Sequence, residues 1–211
     1  MIFLTISVSL IFSAANILEI SFVSMMGNMV MSKKDTILAT ATELFNKCCY
    51  NCIGIDKIIA ESNVAKMTFY KHFPSKENLI EACLHKRNID IQNSILEKIN
   101  HIDSPIEKLK GIFNWFIDWI NSNNFNGCLF KKASLELKQT YPSIHAPINA
   151  YQVWLDNIVK NLFIEQKVEG PEILASLFII IIDGIIVDAT IDKNRIYPVQ
   201  TWSYIEKLIK S

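Results

Sequence analysis

A surplus of charge of either sign is what this sequence lacks: 21 Lys and Arg balance 21 Asp and Glu over 211 residues. Bulk charge therefore points to no polyelectrolyte partner. Glycine and proline are scarce, six of each, which excludes collagen-like chains and Pro- or Gly-rich linkers. No segment alternates apolar and polar residues as a strand does, and there is no repeat or low-complexity tract. A Gly-rich phosphate loop, a nucleophile motif and paired His ligands are all missing, so the chain is not expected to be an enzyme. Asp183 and Asp188 read as polar interruptions of a helix rather than as catalytic carboxylates. The five cysteines at 48, 49, 52, 83 and 128 are odd in number, which speaks against a disulfide framework and for reduced thiols in a cytosolic protein, buried as small hydrophobes. Cys49-Tyr-Asn-Cys52 has redox or metal spacing, yet no second pair and no nearby His completes a metal site. No cofactor and no metal are expected, and a thiol-based redox sensor is the alternative this pair offers.

Half of the residues are apolar, enough to bury a sizeable core in one large domain or two small ones. From Val64 to Leu79 the residues carry the most information. Val64, Phe69 and Phe73 are the apolar members of a short helix, the last two being four residues apart and so on one inward face. Thr68, Tyr70, Lys71 and His72 fall on the other side, a donor-rich face suited to phosphates and base edges in a major groove. Pro74 stops this helix, and Ser75 is placed to cap the next, with Lys76 beside its free N–H groups as a phosphate anchor. Upstream, Ile55, Ile58 and Ile59 mark a helix over about 54 to 62, and Asn63 occupies a turn that wants a residue tolerant of positive φ. Residues 33 to 48 carry Ile37, Leu38, Ala41, Leu44 and Phe45 at helical spacing, a third helix able to cover the other two.

This span, from about 33 to 87, resembles the N-terminal domain of TetR/AcrR-type transcriptional regulators. The resemblance is carried by Ile58, Val64, Thr68-Phe-Tyr-Lys-His-Phe73 and Ser75-Lys-Glu-Asn-Leu79, matched in order and spacing. Ala65, Met67, Gly54 and Asn63 depart from the family's usual Ser, small residue, Ser/Thr and Gly. The resemblance implies that Lys66, Met67, Thr68, Tyr70, Lys71 and His72 face double-stranded DNA and that Lys76 contacts phosphate. It further implies an all-helical C-terminal domain that dimerises and binds a small molecule.

Charge distribution agrees with this assignment. Residues 32 to 87 hold nine Lys or Arg against six Asp or Glu, whereas 105 to 211 hold eleven of each. Lys33 and Lys34 add a basic lead-in placed for the DNA backbone. The expected architecture is all-α, with an apolar extension over 1–31, a helix-turn-helix domain over 32–87 and a ligand-binding and dimerisation domain over 88–211. The extension fits neither a secretory signal nor a flanked membrane anchor. It is expected to follow from a mis-assigned start, with the true one at Met25, Met26, Met29 or Met31; the alternative is a membrane-tethered helical interaction protein.

Beyond residue 75 every segment reads as helix: 75 to 100, shared between the domains, then 105 onward, 127 to 140, 142 to 166, 170 to 191 and 199 to 210. Trp115, Trp119, Phe130, Tyr151 and Trp154 are the expected walls of a ligand cavity, since so wide an aromatic face exceeds what one packed neighbour requires. Asn114, Glu136, His145 and Gln152 are polar groups in the same region. Residues 173 to 187 are apolar nearly all round, too short a run for a membrane span and suited to burial against a partner subunit together with Trp202, Ile205, Leu208 and Ile209. The expected whole is a cytoplasmic homodimer that represses transcription from a palindromic operator and is released by a small-molecule effector.

Overall fold

The computed structural model describes residues 31–210, and all regular structure among them is helical. The reading of residues 1–31 as an extension with a mis-assigned start, or as a membrane tether, falls on the part outside the described residues. The helices are α1 (Lys33–Lys47), α2 (Ile55–Ser62), α3 (Lys66–His72), α4 (Lys76–Ile99), α5 (Pro105–Asn121), α6 (Leu129–Leu137), α7 (His145–Glu165), α8 (Pro171–Ile191) and α9 (Pro198–Lys210), with short 3-10 turns at Pro142–Ile144 and Lys193–Arg195.

Local chemistry explains most of the boundaries. Ser32 caps α1 by accepting from the Asp35 amide at 3.1 Å, and Ser75 caps α4 by accepting from the Asn78 amide at 3.1 Å. Pro105 and Pro171 open α5 and α8 at positions where a missing N–H costs nothing. Between α2 and α3, Asn63 adopts φ 50 and ψ 47, the left-handed conformation expected of that turn. Helix α6 is shorter than the expected 127 to 140, because Gly127 sits at φ +84 and the chain becomes helical only after it. The expected 142 to 166 helix begins with a single 3-10 turn before α7.

Helices α1, α2 and α3 enclose Ile37, Ala41, Phe45, Ile58, Val64, Phe69 and Phe73, all buried. Full burial of one such aromatic contributes about 1.5–3 kcal/mol. Helix α4 is 24 residues long, roughly 36 Å at 1.5 Å per residue. It packs on α1, on α5 and α7 and on the turn at Pro142–Ile144, so one rod is shared by the N-terminal helices and the C-terminal bundle. Helices α5, α7 and α8 complete the C-terminal bundle around Phe113, Phe116, Leu155, Phe163, Phe178 and Ile182, and α9 closes it with Trp202 against Phe113 at a ring separation of 5.7 Å.

Helix α8 departs from expectation in two respects. It is 21 residues long and apolar enough to cross a membrane by length and composition, so the argument that it is too short does not hold. What places it in the bundle is its inner face of Ala175, Phe178, Ile182, Ile186 and Ala189, together with Asp183, whose carboxylate pairs with Lys131 at 2.6 Å. Nor is it covered on every side: Ile173, Ile180, Val187 and Ile191 are each more than half exposed, and Leu177 is 42% exposed.

Candidate functional site

Two surfaces carry the functional expectations, the outer face of α3 and a cavity between the domains. On α3, Phe69 is fully buried and Phe73 nearly so, which turns Lys66, Met67, Tyr70 and Lys71 outward. Met67 is 83% exposed, a large apolar side chain standing free on a surface with no internal reason for it. The Tyr70 ring meets Phe69 edge-on at 5.4 Å and 82°, so a core residue holds the orientation of an exposed phenol. Thr68 and His72 are half-buried at the flanks, and Lys66 reaches back to Asp56 of α2 at 3.3 Å. An exposed pair of this kind contributes little and is readily exchanged for another anion.

Lys33 and Lys34 are exposed in the first turn of α1. Lys76 is placed differently from the other lysines. Its ammonium donates to the Tyr50 carbonyl at 2.7 Å, and partial burial lowers its pKa. The side chain therefore ties α4 to the loop between α1 and α2 as well as flanking the start of α4.

That loop, residues 48 to 54, is where the domains are joined. The Tyr50 hydroxyl donates to the Leu129 carbonyl at 3.2 Å, and the Asn51 amide donates to Glu136 at 3.2 Å. Just before it, the Asn46 side chain donates to the Asn124 carbonyl at 2.9 Å while Lys132 donates to the Asn46 carbonyl at 2.8 Å. The reading of all five cysteines as reduced, buried thiols is corrected here. Cys49 and Cys52 form a disulfide across this tight turn, with Cα atoms 5.2 Å apart, and Cys48 is exposed. Spacing of three residues in a turn brings two Cβ atoms within bonding reach, which composition alone does not show. Cys83 and Cys128 are buried as expected, and burial pushes the Cys83 thiol up to about 12.

Next to these bonds lies a half-open cavity of about 760 Å³. Its walls come from both domains: Leu38, Thr42 and Asn46 of α1 face Arg87 and Ile91 of α4, with Trp119, Phe130 and Tyr151 beyond. Three of the five aromatics expected around a ligand, Trp119, Phe130 and Tyr151, line this cavity. Trp115 and Trp154 do not line it; the Trp115 indole N–H donates to Ser94 at 2.8 Å, and Trp154 packs half-buried against the core. Asn114, Glu136, His145 and Gln152 stand outside the lining, with Glu136 engaged by Asn51 and His145 by the Lys138 carbonyl.

Sequence reasoning missed Arg87. Its guanidinium lies 5.7 Å from the centre of the Trp119 ring, and burial lowers its pKa, although a guanidinium stays charged inside proteins. Tyr151 is 6% exposed, with its ring stacked on Phe130 at 4.2 Å and 4°. Burial raises its pKa well above the usual value, so its hydroxyl keeps its proton.

Residues 37–83 match the family model described as bacterial regulatory proteins, tetR family. The chain is 24% identical over 166 residues to the HTH-type transcriptional repressor DhaR of Mycobacterium sp. (strain GP1), an alignment covering 75% of this chain and 83% of that protein. It is 32% identical over 95 residues to the Transposon Tn10 TetC protein of Escherichia coli, covering 45% of this chain and 48% of the other. In fold it is similar to a TetR-family transcriptional regulator from Streptomyces coelicolor, with a TM-score of 0.77 at 22% identity over 84% of this chain and 94% of that one.

Proposed function

We propose that the chain is a DNA-binding transcriptional regulator of the TetR type, acting as a cytoplasmic homodimeric repressor released from a palindromic operator by a small-molecule effector. The domains act as residues 32–87 for DNA and 88–211 for ligand and dimerisation. Lys66, Met67, Thr68, Tyr70, Lys71 and His72 meet the major groove, and Lys33, Lys34 and Lys76 meet the backbone on either side.

The observation that carries the release mechanism is the shared cavity. A molecule lodged there touches Asn46 and Asn124 directly, the two residues whose hydrogen bond helps join α1 to the C-terminal domain. A dimer on DNA must hold its two α3 helices roughly 34–36 Å apart. An occupant that pushes α1 away from the loop at 122 to 128 alters that separation, and so binds better to the form that cannot hold DNA. Coupling of about 1–3 kcal/mol between effector and operator suffices for regulation.

A mobility-shift titration with the chain's own upstream DNA and unrelated DNA, at two salt concentrations, tests the DNA-binding arm. Sequence-preferring, salt-sensitive binding is expected. Tyr70→Ala weakens it about tenfold or more and flattens the sequence preference. Lys71→Ala weakens it on all sequences with a smaller salt slope. Unchanged affinity of both variants at matched salt removes α3 from the interface.

A second reading is favoured by the Cys49–Cys52 bond, because the loop it closes also holds Tyr50 and Asn51 against the C-terminal domain. A peroxide-class oxidant would take two electrons from the two thiols, which lose two protons as the sulfurs join. Operator affinity measured on reduced and on peroxide-treated protein decides it: equal values leave the small-molecule reading alone in place.

A further inference from the structure

Of the six charged side chains that line the cavity between the domains, four form two ion pairs, and Asp35 and Arg87 stand outside them. Glu43 pairs with Lys47, Asp90 with Lys86, and Asp35 accepts from Ser32 at the start of α1. Outside the lining, Asp183 is held by Lys131. Arg87 alone among these cations has no carboxylate within ion-pair distance and no hydrogen-bond acceptor among the described residues; Asp90 acts on its charge from further off, and its guanidinium lies over the face of Trp119. Beside it the Tyr151 hydroxyl, almost wholly buried, likewise has no partner among the described residues. Two donors, one of them cationic, stand beside an apolar part of the wall made by Phe116, Trp119, Phe130 and Ile91, the rest of the lining being polar or charged.

A half-buried guanidinium with no carboxylate in contact leaves its donors free for an incoming anion. Resting on the reading of this cavity as the effector site, we propose that the effector is an amphiphilic monocarboxylate whose carboxylate sits between the Arg87 guanidinium and the Tyr151 hydroxyl, its apolar body lying along Trp119 and Phe130. The planar fork of Arg87 matches a carboxylate in two parallel hydrogen bonds. One cation neutralises a monoanion and leaves a doubly charged phosphate ester under-compensated. The Tyr151 ring, clamped on Phe130, fixes its hydroxyl before any ligand arrives, which limits the entropy lost on binding. A carboxylate arriving at Arg87 also stands between α4 and α1, on the side where Leu38 and Thr42 form the opposite wall, so recognition of charge and displacement of the DNA-binding domain occur at one place.

The test uses the full-length chain and no DNA, so its failure is distinct from failure of the regulator reading, which shows in the mobility shift. Quenching of tryptophan fluorescence is titrated with decanoate and 4-phenylbutanoate, and with decanol and 4-phenylbutanol as uncharged counterparts of the same length. At least one carboxylate is expected to bind about tenfold or more tightly than its alcohol, the margin of a charge-assisted hydrogen bond. Arg87→Met should abolish that preference while leaving the melting temperature equal or higher, since an uncompensated charge is replaced by an apolar chain of similar length. Tyr151→Phe should reduce the preference severalfold with its ring stacking intact. The proposal is overturned by alcohols binding as well as acids, by no carboxylate binding at millimolar concentration, or by Arg87→Met lowering the melting temperature. The last result would give Arg87 a structural partner instead of a ligand.

Discussion

At the scale of single residues, positions that look alike differ by what surrounds them. Asn63 is the joint of the helix-turn-helix: its left-handed backbone turns α2 into α3, and the angle of α3 on DNA depends on it. A β-branched residue there meets steric resistance of about 1–2 kcal/mol, whereas glycine does not. Asn63→Val is therefore expected to lower stability in urea by about that amount and to weaken operator binding, and Asn63→Gly to leave stability within about 0.5 kcal/mol. A stable, fully binding Asn63→Val would show that the turn does not set the angle of α3. The identity of Asn63 signals its backbone because so few residue types accept that conformation. No comparable signal exists for Arg87. On the chain it is one of nine basic residues between 32 and 87, and only packing reveals that it faces Trp119 and lacks a carboxylate partner. Helical spacing shows which face of a helix points inward, not whether the space it meets is filled. That is why Trp115, Trp119 and Trp154 read alike although only Trp119 borders the cavity.

At the scale of elements, local rules carried well. The serines at 32 and 75, the prolines at 105 and 171 and the 3.6-residue spacing of apolar side chains place most helix ends within a residue or two. What escaped were features made by segments far apart, such as Asn46 with Asn124 and Lys132, or Tyr50 with Leu129. The end of α1 and the loop that follows it gather these, and the loop also holds the disulfide. Its cysteines differ in reactivity from Cys83 and Cys128. Cys83 is buried, and its thiol is pushed up to about 12; Cys128 is buried too, with its pKa also raised by burial. Neither offers thiolate near pH 8, whereas Cys48 is exposed. Native protein prepared without reductant is expected to take one alkyl label, at Cys48, with Cys83 and Cys128 labelled only after unfolding and Cys49 and Cys52 only after reduction. Peptide mass spectrometry reads the order, and prompt labelling of Cys83 in the native protein would contradict its burial. A reagent reaching the loop after mild reduction at low pH gives the same order more slowly, because thiolate and not thiol attacks.

At the scale of the whole molecule, the outward face of α8 asks for a partner. Ile173, Leu177, Ile180, Val187 and Ile191 recur at helical spacing along one stripe, and at Gly184, within it, a Cβ would meet nothing within 4 Å. On α9, Tyr204 and Leu208 are exposed as well. An apolar stripe this long on a domain surface suits an interface, and for identical subunits a two-fold axis would let each α8 cover the other. The same axis would place two copies of α3 for two halves of a palindrome. Ile180 lies near the middle of the stripe and is 59% exposed, so a carboxylate there harms the isolated fold little. Across a two-fold axis, however, Ile180→Glu sets two desolvated like charges close together. Sedimentation equilibrium should therefore show Ile180→Glu as a monomer with an unchanged helical circular dichroism spectrum. Its operator affinity should fall by about 100-fold or more, because the second half-site no longer binds as part of the same molecule. The salt slope should fall to about half, as one subunit neutralises about half the phosphates. A dimeric Ile180→Glu protein would move the interface off α8. A monomer that still bound the palindrome with wild-type affinity and salt slope would show that DNA recognition here does not require two subunits joined in solution.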